Sequence, residues 1–151
     1  DATNSVAVPI YQTTSFQFND QEHAANLFSL KELGNIYTRI MNPTTAVLEE
    51  RVAQLEGGRG AVATSSGHAA QFIAAATLME AGDEFIASRN LYGGSVTQFG
   101  GSFPKLGWKC NFVDPTDPEN FEKAMNDKVK FIFCEGVANP GGIILDLEKL
   151  V

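Results

Sequence analysis

Residues 60–82, Gly-Ala-Val-Ala-Thr-Ser-Ser-Gly-His-Ala-Ala-Gln-Phe-Ile-Ala-Ala-Ala-Thr-Leu-Met-Glu-Ala-Gly, restrict the possible folds more than any other stretch. A short apolar run passes through three small residues directly into an alanine-rich segment. Residues 61–64 read as a strand buried on both faces, and residues 69–81 as a helix stopped by Gly82. Ser65, Ser66 and Gly67 are then the turn. Such a turn leaves backbone N–H groups unpaired at the positive end of a helix dipole, and Gly67 has no side chain to keep an anion away. A phosphate would sit there. The competing reading is an ordinary strand-to-helix turn with Ser66 as its N-cap.

The same order repeats downstream. Residues 84–88 read as a strand, Gly93-Gly94-Ser95 opens a weaker helix toward Phe103, and residues 108–113 form a second strand. Residues 118–125 form a helix with Phe121, Ala124 and Met125 inward, and residues 130–135 a third strand. Strands alternating with helices predict an α/β fold with a mainly parallel sheet flanked by helices. Ligands of such sheets bind outside the carboxyl ends of the strands. The loops at 65–67, 90–93 and 136–141 should therefore converge on one crevice.

Ahead of this region, residues 8–16 are β-branched and aromatic with little alternation, and read as an extended arm that lies on the domain body or on a second subunit. Asp20 caps a helix through about Leu30 with Ala24, Leu27 and Phe28 on one face, and His23 on it is a solvated surface histidine. Asn42-Pro43 starts a second helix that runs to Gly57. Tyr37 and Arg39, two apart in an extended segment, would point the same way and could grip a phosphate. A plain ion pair and a half-buried tyrosine are the alternative. The boundary is placed between residues 1–58, the arm and helices, and residues 59–151, the sheet domain.

With 44% hydrophobic residues among 151, the chain can fill one sizeable core. A net charge of -7 argues against nucleic acid or an anionic membrane as partner. No apolar run reaches bilayer length and no signal-peptide pattern is present, so a soluble, cytoplasmic parent is expected. Cys110 and Cys134 read as reduced strand cysteines, and two histidines without paired spacing make a metal site unexpected. The chain does not begin with Met, and residues 147–151 read as a helix stopped in mid-turn; the sequence is expected to be a fragment.

In the crevice, Tyr92 could stack on a planar ring or merely cover the core, and Asn139 could hydrogen-bond a ring hydroxyl or merely open a turn. Together with the phosphate corner they suggest a phosphorylated heteroaromatic cofactor. The glycines at 57, 58 and 60 precede a strand rather than follow one, which is the wrong side for a dinucleotide fingerprint. No phosphate-loop lysine motif or nucleophile elbow is present.

Tyr37-Thr38-Arg39-Ile40-Met41-Asn42-Pro43-Thr44, Ser65-Ser66-Gly67-His68-Ala69-Ala70, Leu91-Tyr92-Gly93-Gly94 and Asn139-Pro140, in this order and at these intervals, closely resemble the pyridoxal-phosphate enzymes of cysteine and methionine metabolism. That group includes cystathionine synthases and lyases, methionine γ-lyase and O-acetylhomoserine sulfhydrylases. Ile40 and residues 8–16 look most like the last of these. The resemblance covers essentially the whole chain.

It implies the large domain of a fold-type I pyridoxal-phosphate transferase with an N-terminal arm. Ser66, Gly67 and His68 would hold the cofactor phosphate, His68 through its amide, since many relatives carry methionine or glutamine there. Tyr37 and Arg39 would reach the phosphate of a neighbouring subunit. Tyr92 would stack on the pyridine ring and assist catalysis, and Asn139 would meet the ring hydroxyl oxygen. The implied reaction joins O-acetyl-L-homoserine and sulfide into L-homocysteine with loss of acetate. The implied assembly is a homo-oligomer, a dimer of dimers. The cofactor-bearing lysine, the aspartate facing the pyridine nitrogen and the substrate-binding arginine would belong to the C-terminal remainder; Lys105, Lys109, Lys128 and Lys130 match none of these roles. Two readings of other classes stay open: an inactive assembly segment, and a nucleotide-binding doubly wound domain.

Overall fold

In a computed structural model, which describes residues 4–150, the chain divides into two compact units, the first ending at Ala63 and the second beginning at Thr64. The first unit carries α1 (Gln21–Phe28) and α2 (Pro43–Leu55). Both starts are set locally. The Asp20 carboxylate accepts the His23 N–H at 2.7 Å, and the Asn42 side-chain oxygen accepts the Thr44 N–H at 2.9 Å with Pro43 in the first turn. Each cap satisfies a donor that the helix itself cannot.

The arm is extended and tied down through its backbone. The Tyr11 N–H donates to Thr44 Oγ1 at 2.9 Å, and the carbonyls of Pro9 and Tyr11 accept from Thr44 and Asn42 side chains. Its apolar side chains stay outside: Val6, Val8 and Ile10 are exposed, as are Leu48 and Leu55 on α2. Residues 1–3 lie outside the described residues. His23 departs from its expected solvation. Its Nδ1 accepts the Asn19 N–H at 3.1 Å and its ring meets Phe18 edge-on, because the Asp20 turn folds it back over the chain. Of the face expected to carry Ala24, Leu27 and Phe28, Leu27 is fully buried and Phe28 is largely exposed.

In the second unit, β1 (Glu84–Ser88) is the middle strand of a parallel sheet, between β2 (Lys109–Val113) and β3 (Val129–Phe133). Its side chains alternate between two cores. Phe85 and Ala87 pack with Ala75 and Met79 of the helix α3 (Gly67–Leu78), and with Phe99, Phe103 and Trp108; Ile86 packs with Val113 and Phe121. The 99–103 aromatics belong to a helical stretch that begins as α4 (Gly93–Thr97), widens to a π turn over Gln98–Ser102 and tightens to a 3-10 turn over Phe103–Leu106 before β2; Phe121 comes from α5 (Glu119–Ala124). A parallel sheet covered on both faces by helices results.

Four expectations are corrected. Residues 61–64 form no strand: no neighbour pairs them among the described residues, Val62 is exposed, and the Ala63 N–H goes to Glu49 Oε1 at 2.8 Å. Apolar character without a partner strand leaves an irregular segment. The helix α3 ends at Leu78, and Gly82 instead closes the following turn by donating its N–H to the Gly107 carbonyl at 2.8 Å. There Gly107 has φ +81°, and a Cβ on it would lie 3.1 Å from Ala81 Cβ, so only glycine fits comfortably. Met125 is half exposed rather than inward, because α5 stops one residue before it. Near the C-terminus, residues expected as a cut helix form one tight turn, Leu147–Lys149; Val151 lies outside the described residues.

Where the strands begin, Glu84 gathers Asn111 Nδ2 at 2.7 Å, Asn126 Nδ2 at 3.2 Å and Lys109 Nζ at 3.2 Å. The Asn111 hydrogen bond first, then those from Asn126 and Lys109, lower its pKa from 4.5 to about 2. A carboxylate stabilised in the folded state strengthens folding fully above its unfolded pKa, and that contribution disappears as pH falls through the folded value. The Glu84→Gln variant should therefore be less stable than wild type at neutral pH, with the gap closing between pH 4.5 and about 2. Urea midpoints measured across that range check it; a gap independent of pH would contradict it.

Candidate functional site

At the start of α3, Ser66 adopts the extended cap conformation and its hydroxyl accepts the Ala69 N–H at 3.1 Å. Among the described residues the N–H groups of Gly67 and His68 have no acceptor. A Cβ added at Gly67 would meet nothing within 4 Å, so the space in front of these amides is open. Two free donors, a helix N-terminus and no side chain in the way suit a dianionic group.

The loop after β1 brings Tyr92 against this corner. Its ring centroid lies 5.9 Å from that of His68, tilted by 51°, and it is 50% exposed, which leaves aromatic surface for a ligand. Beneath the two rings lies Gly94: a Cβ there would come within 2.6 Å of both His68 Cε1 and Tyr92 Cε1. Gly93, one residue earlier, has nothing within 4 Å of that position. The pair makes a controlled comparison. Gly94→Ala should lower the thermal midpoint through overpacking of about 1 kcal/mol, whereas Gly93→Ala should leave it unchanged or raise it. Equal effects of the two substitutions would contradict the packing of Tyr92 over Gly94.

Opposite, the loop after β3 carries Asn139, exposed at a cis bond to Pro140. Residues 136–145 close on themselves through an antiparallel bridge between Val137 and Ile144 and through the bond from the Ala138 N–H to the Ile143 carbonyl at 2.8 Å. Two loops and one helix start in the second unit thus meet outside the carboxyl ends of β1 and β3. Sequence reasoning missed what joins them. The Glu135 carboxylate accepts the Tyr92 N–H at 2.8 Å and the Asn139 N–H at 2.9 Å. Gln98 Nε2 donates to the His68 carbonyl at 3.0 Å, and Gln71 bonds Ser95 at 3.0 Å, fixing α3 to α4. An acidic residue just past a strand that ends at the crevice was the available signal for Glu135.

Tyr37 and Arg39 belong to the first unit. Residues 38–40 form a turn, not the extended segment expected, because the N–H groups of Ile40 and Met41 both return to the Tyr37 carbonyl at 2.9 and 3.0 Å. The side chains still meet: the Arg39 guanidinium carbon lies 5.8 Å from the Tyr37 ring centroid. Both line a groove of about 460 Å³ with Phe16, Phe18, Phe28 and Ile36.

The cysteines stand apart from this chemistry. Both are free; burial pushes the Cys110 thiol up to about 12 and the Cys134 thiol upward. Cys110 lies on β2, while Cys134 falls one residue beyond β3. Among the described residues no helix is long and apolar enough to cross a membrane.

A family model described as Cys/Met metabolism PLP-dependent enzyme matches residues 1–151. The chain is 56% identical over 148 residues to an O-acetyl-L-homoserine sulfhydrylase of Leptospira meyeri, a match that takes in 98% of this chain and 34% of that protein. It is 52% identical to O-acetyl-L-homoserine sulfhydrylase 1 of Thermus thermophilus, over 98% of this chain and 35% of that one. A solved structure described as an O-acetylhomoserine (thiol)-lyase of Campylobacter jejuni superposes with a TM-score of 0.95 at 39% identity, covering 99% of this chain and 37% of that one. It contains N'-pyridoxyl-lysine-5'-monophosphate. The chain spans about a third of the length of the curated relatives it matches.

Proposed function

Because the chain belongs to the Cys/Met metabolism PLP-dependent enzyme family, we propose that the protein carrying it converts O-acetyl-L-homoserine and sulfide to L-homocysteine and acetate. The observation that carries this reading is the meeting of the open Gly67 and His68 amides, the exposed Tyr92 ring and the Asn139 turn in one crevice. Relatives named O-acetyl-L-homoserine sulfhydrylase favour this reaction within the family.

Pyridoxal phosphate, the family's cofactor, supplies an electron sink for removing protons near the amino-bearing carbon of the substrate. The residues present fit it. The space a Cβ of Gly67 would occupy is open, so its phosphate can approach the N–H groups of Gly67 and His68 behind the Ser66 cap. The Tyr92 ring offers an aromatic face for the pyridine, and its phenolic Oη can hold or move a proton as acetate departs. Asn139 offers a side-chain N–H to the ring hydroxyl oxygen. Tyr37 and Arg39 of a second copy add a phenol and a paired guanidinium donor to the phosphate, which gives a homo-oligomer, a dimer of dimers, a role in the chemistry.

The test is an assay of the full-length protein with pyridoxal phosphate, O-acetyl-L-homoserine and sulfide, expected to yield equal amounts of homocysteine and acetate. Ammonia and a keto acid in place of homocysteine would assign it to γ-elimination. Cystathionine from cysteine, without homocysteine from sulfide, would assign it to cystathionine synthesis. No product and no bound cofactor would leave an assembly role.

A further inference from the structure

We propose that Glu135 is the positioning residue that sets the separation between Tyr92 and Asn139, so that one carboxylate aligns the group facing the cofactor ring and the group at its edge. The proposal rests on the function assigned above. Glu135 lies two residues beyond the end of β3, half-buried, with its two oxygens engaged on different loops. Its Oε1 accepts the Tyr92 N–H at 2.8 Å, from a residue 43 positions away, and its Oε2 accepts the Asn139 N–H at 2.9 Å.

Neither amide has another acceptor among the described residues. The remaining bonds of the Asn139 loop are internal to it: the Gly142 N–H goes to the Ala138 carbonyl at 2.9 Å and the Leu145 N–H to the Gly136 carbonyl at 3.0 Å. That loop is therefore a small closed unit, and Glu135 carries the hydrogen bonds that link it to Tyr92. Its root is packed, since Ala138 beside Asn139 is 5% exposed, while at Asn139 itself the backbone N–H is held by Glu135.

The chemistry explains why a carboxylate occupies this position. An ionised carboxyl group is an acceptor only and offers two oxygens, and bonds from N–H groups to it are short and strong. Glutamine of the same length has one oxygen and could serve only one of the two amides. Aspartate is one methylene shorter. The role is in placement: Glu135 touches backbone, and the side chains of Tyr92 and Asn139 carry its effect to the site.

The experiment uses the full-length protein with pyridoxal phosphate and compares wild type with three variants: Glu135→Gln, Asn139→Ala and the double substitution. A hydrogen bond from Asn139 favours the ionised ring hydroxyl, so a displaced Asn139 raises the pH midpoint of the bound cofactor's visible absorbance. Glu135→Gln should raise that midpoint by about one unit and weaken cofactor binding about tenfold. In the Asn139→Ala background, adding Glu135→Gln should shift the midpoint no further. An unchanged midpoint in Glu135→Gln, or a full additive shift in the double variant, would overturn the proposal.

Amide hydrogen exchange on the cofactor-free protein gives a second readout that needs no cofactor and no activity. Wild type should protect both the Tyr92 and Asn139 amides, and Glu135→Gln should speed exchange of at least one by about tenfold. Unprotected amides in wild type would overturn the clamp. Protein that shows the protected pair yet never binds pyridoxal phosphate would instead overturn the enzymatic reading.

Discussion

Phe85→Ala is expected to lower the unfolding free energy of the full-length protein by about 3–5 kcal/mol. Phe85 is 0% exposed in the central strand and is the hub of the aromatic core. It stacks on Phe131 at 4.8 Å, meets Phe99 edge-on at 5.1 Å and approaches Phe103 at 5.9 Å. Truncation removes the buried ring from all three neighbours, and a sheet covered by helices on both faces cannot collapse into the gap. Met125→Ala provides the contrast: with the side chain half exposed, it should cost no more than about 0.5 kcal/mol. Urea unfolding of both variants decides; a Phe85→Ala loss below about 1 kcal/mol would contradict the packing described.

Tyr92→Phe is expected to reduce turnover about a hundredfold while leaving cofactor affinity close to wild type. The phenylalanine ring keeps the face against His68 and the stacking surface, and removes only the hydroxyl that can hold a proton. Arg39→Ala should do the opposite, loosening cofactor retention about tenfold with a smaller effect on the turnover of cofactor-saturated enzyme. Steady-state kinetics at saturating cofactor, with cofactor dissociation measured separately, separates the two. The reverse pattern, with Tyr92→Phe releasing cofactor and Arg39→Ala stopping chemistry, would refute both role assignments.

Features encoded by neighbours in the sequence are legible in it. The Asp20, Asn42 and Ser66 caps need only a side chain two or three residues from its acceptor-seeking amide, so each helix start followed from local chemistry. The strand Glu84–Ser88 was legible because burial on both faces demands an apolar run. Residues 61–64 have the same apolar character and form no strand, since a ladder also needs a partner that composition cannot supply. Helix ends were less legible: α3 stops at Leu78, before the alanine-rich pattern does, and α5 stops before Met125.

The candidate site divides along the same line. Its motifs were visible as residue strings, and Gly67, Tyr92 and Asn139 were named from them. Glu135 was not, because its two partners are set by tertiary folding, one of them 43 residues away. The turn at 38–40 was likewise hidden: the segment read as extended, while backbone bonds to the Tyr37 carbonyl bent it and still left Arg39 over the Tyr37 ring.

The proposed function requires the N–H groups at the start of α3 to hold the cofactor's phosphate. A crystal structure of the full-length protein grown with pyridoxal phosphate decides this. The expected result is phosphate oxygens about 3 Å from the backbone nitrogens of Gly67 and His68, with the Tyr92 ring over the pyridine. A phosphate bound elsewhere, with the Gly67 corner closed by protein, would contradict it.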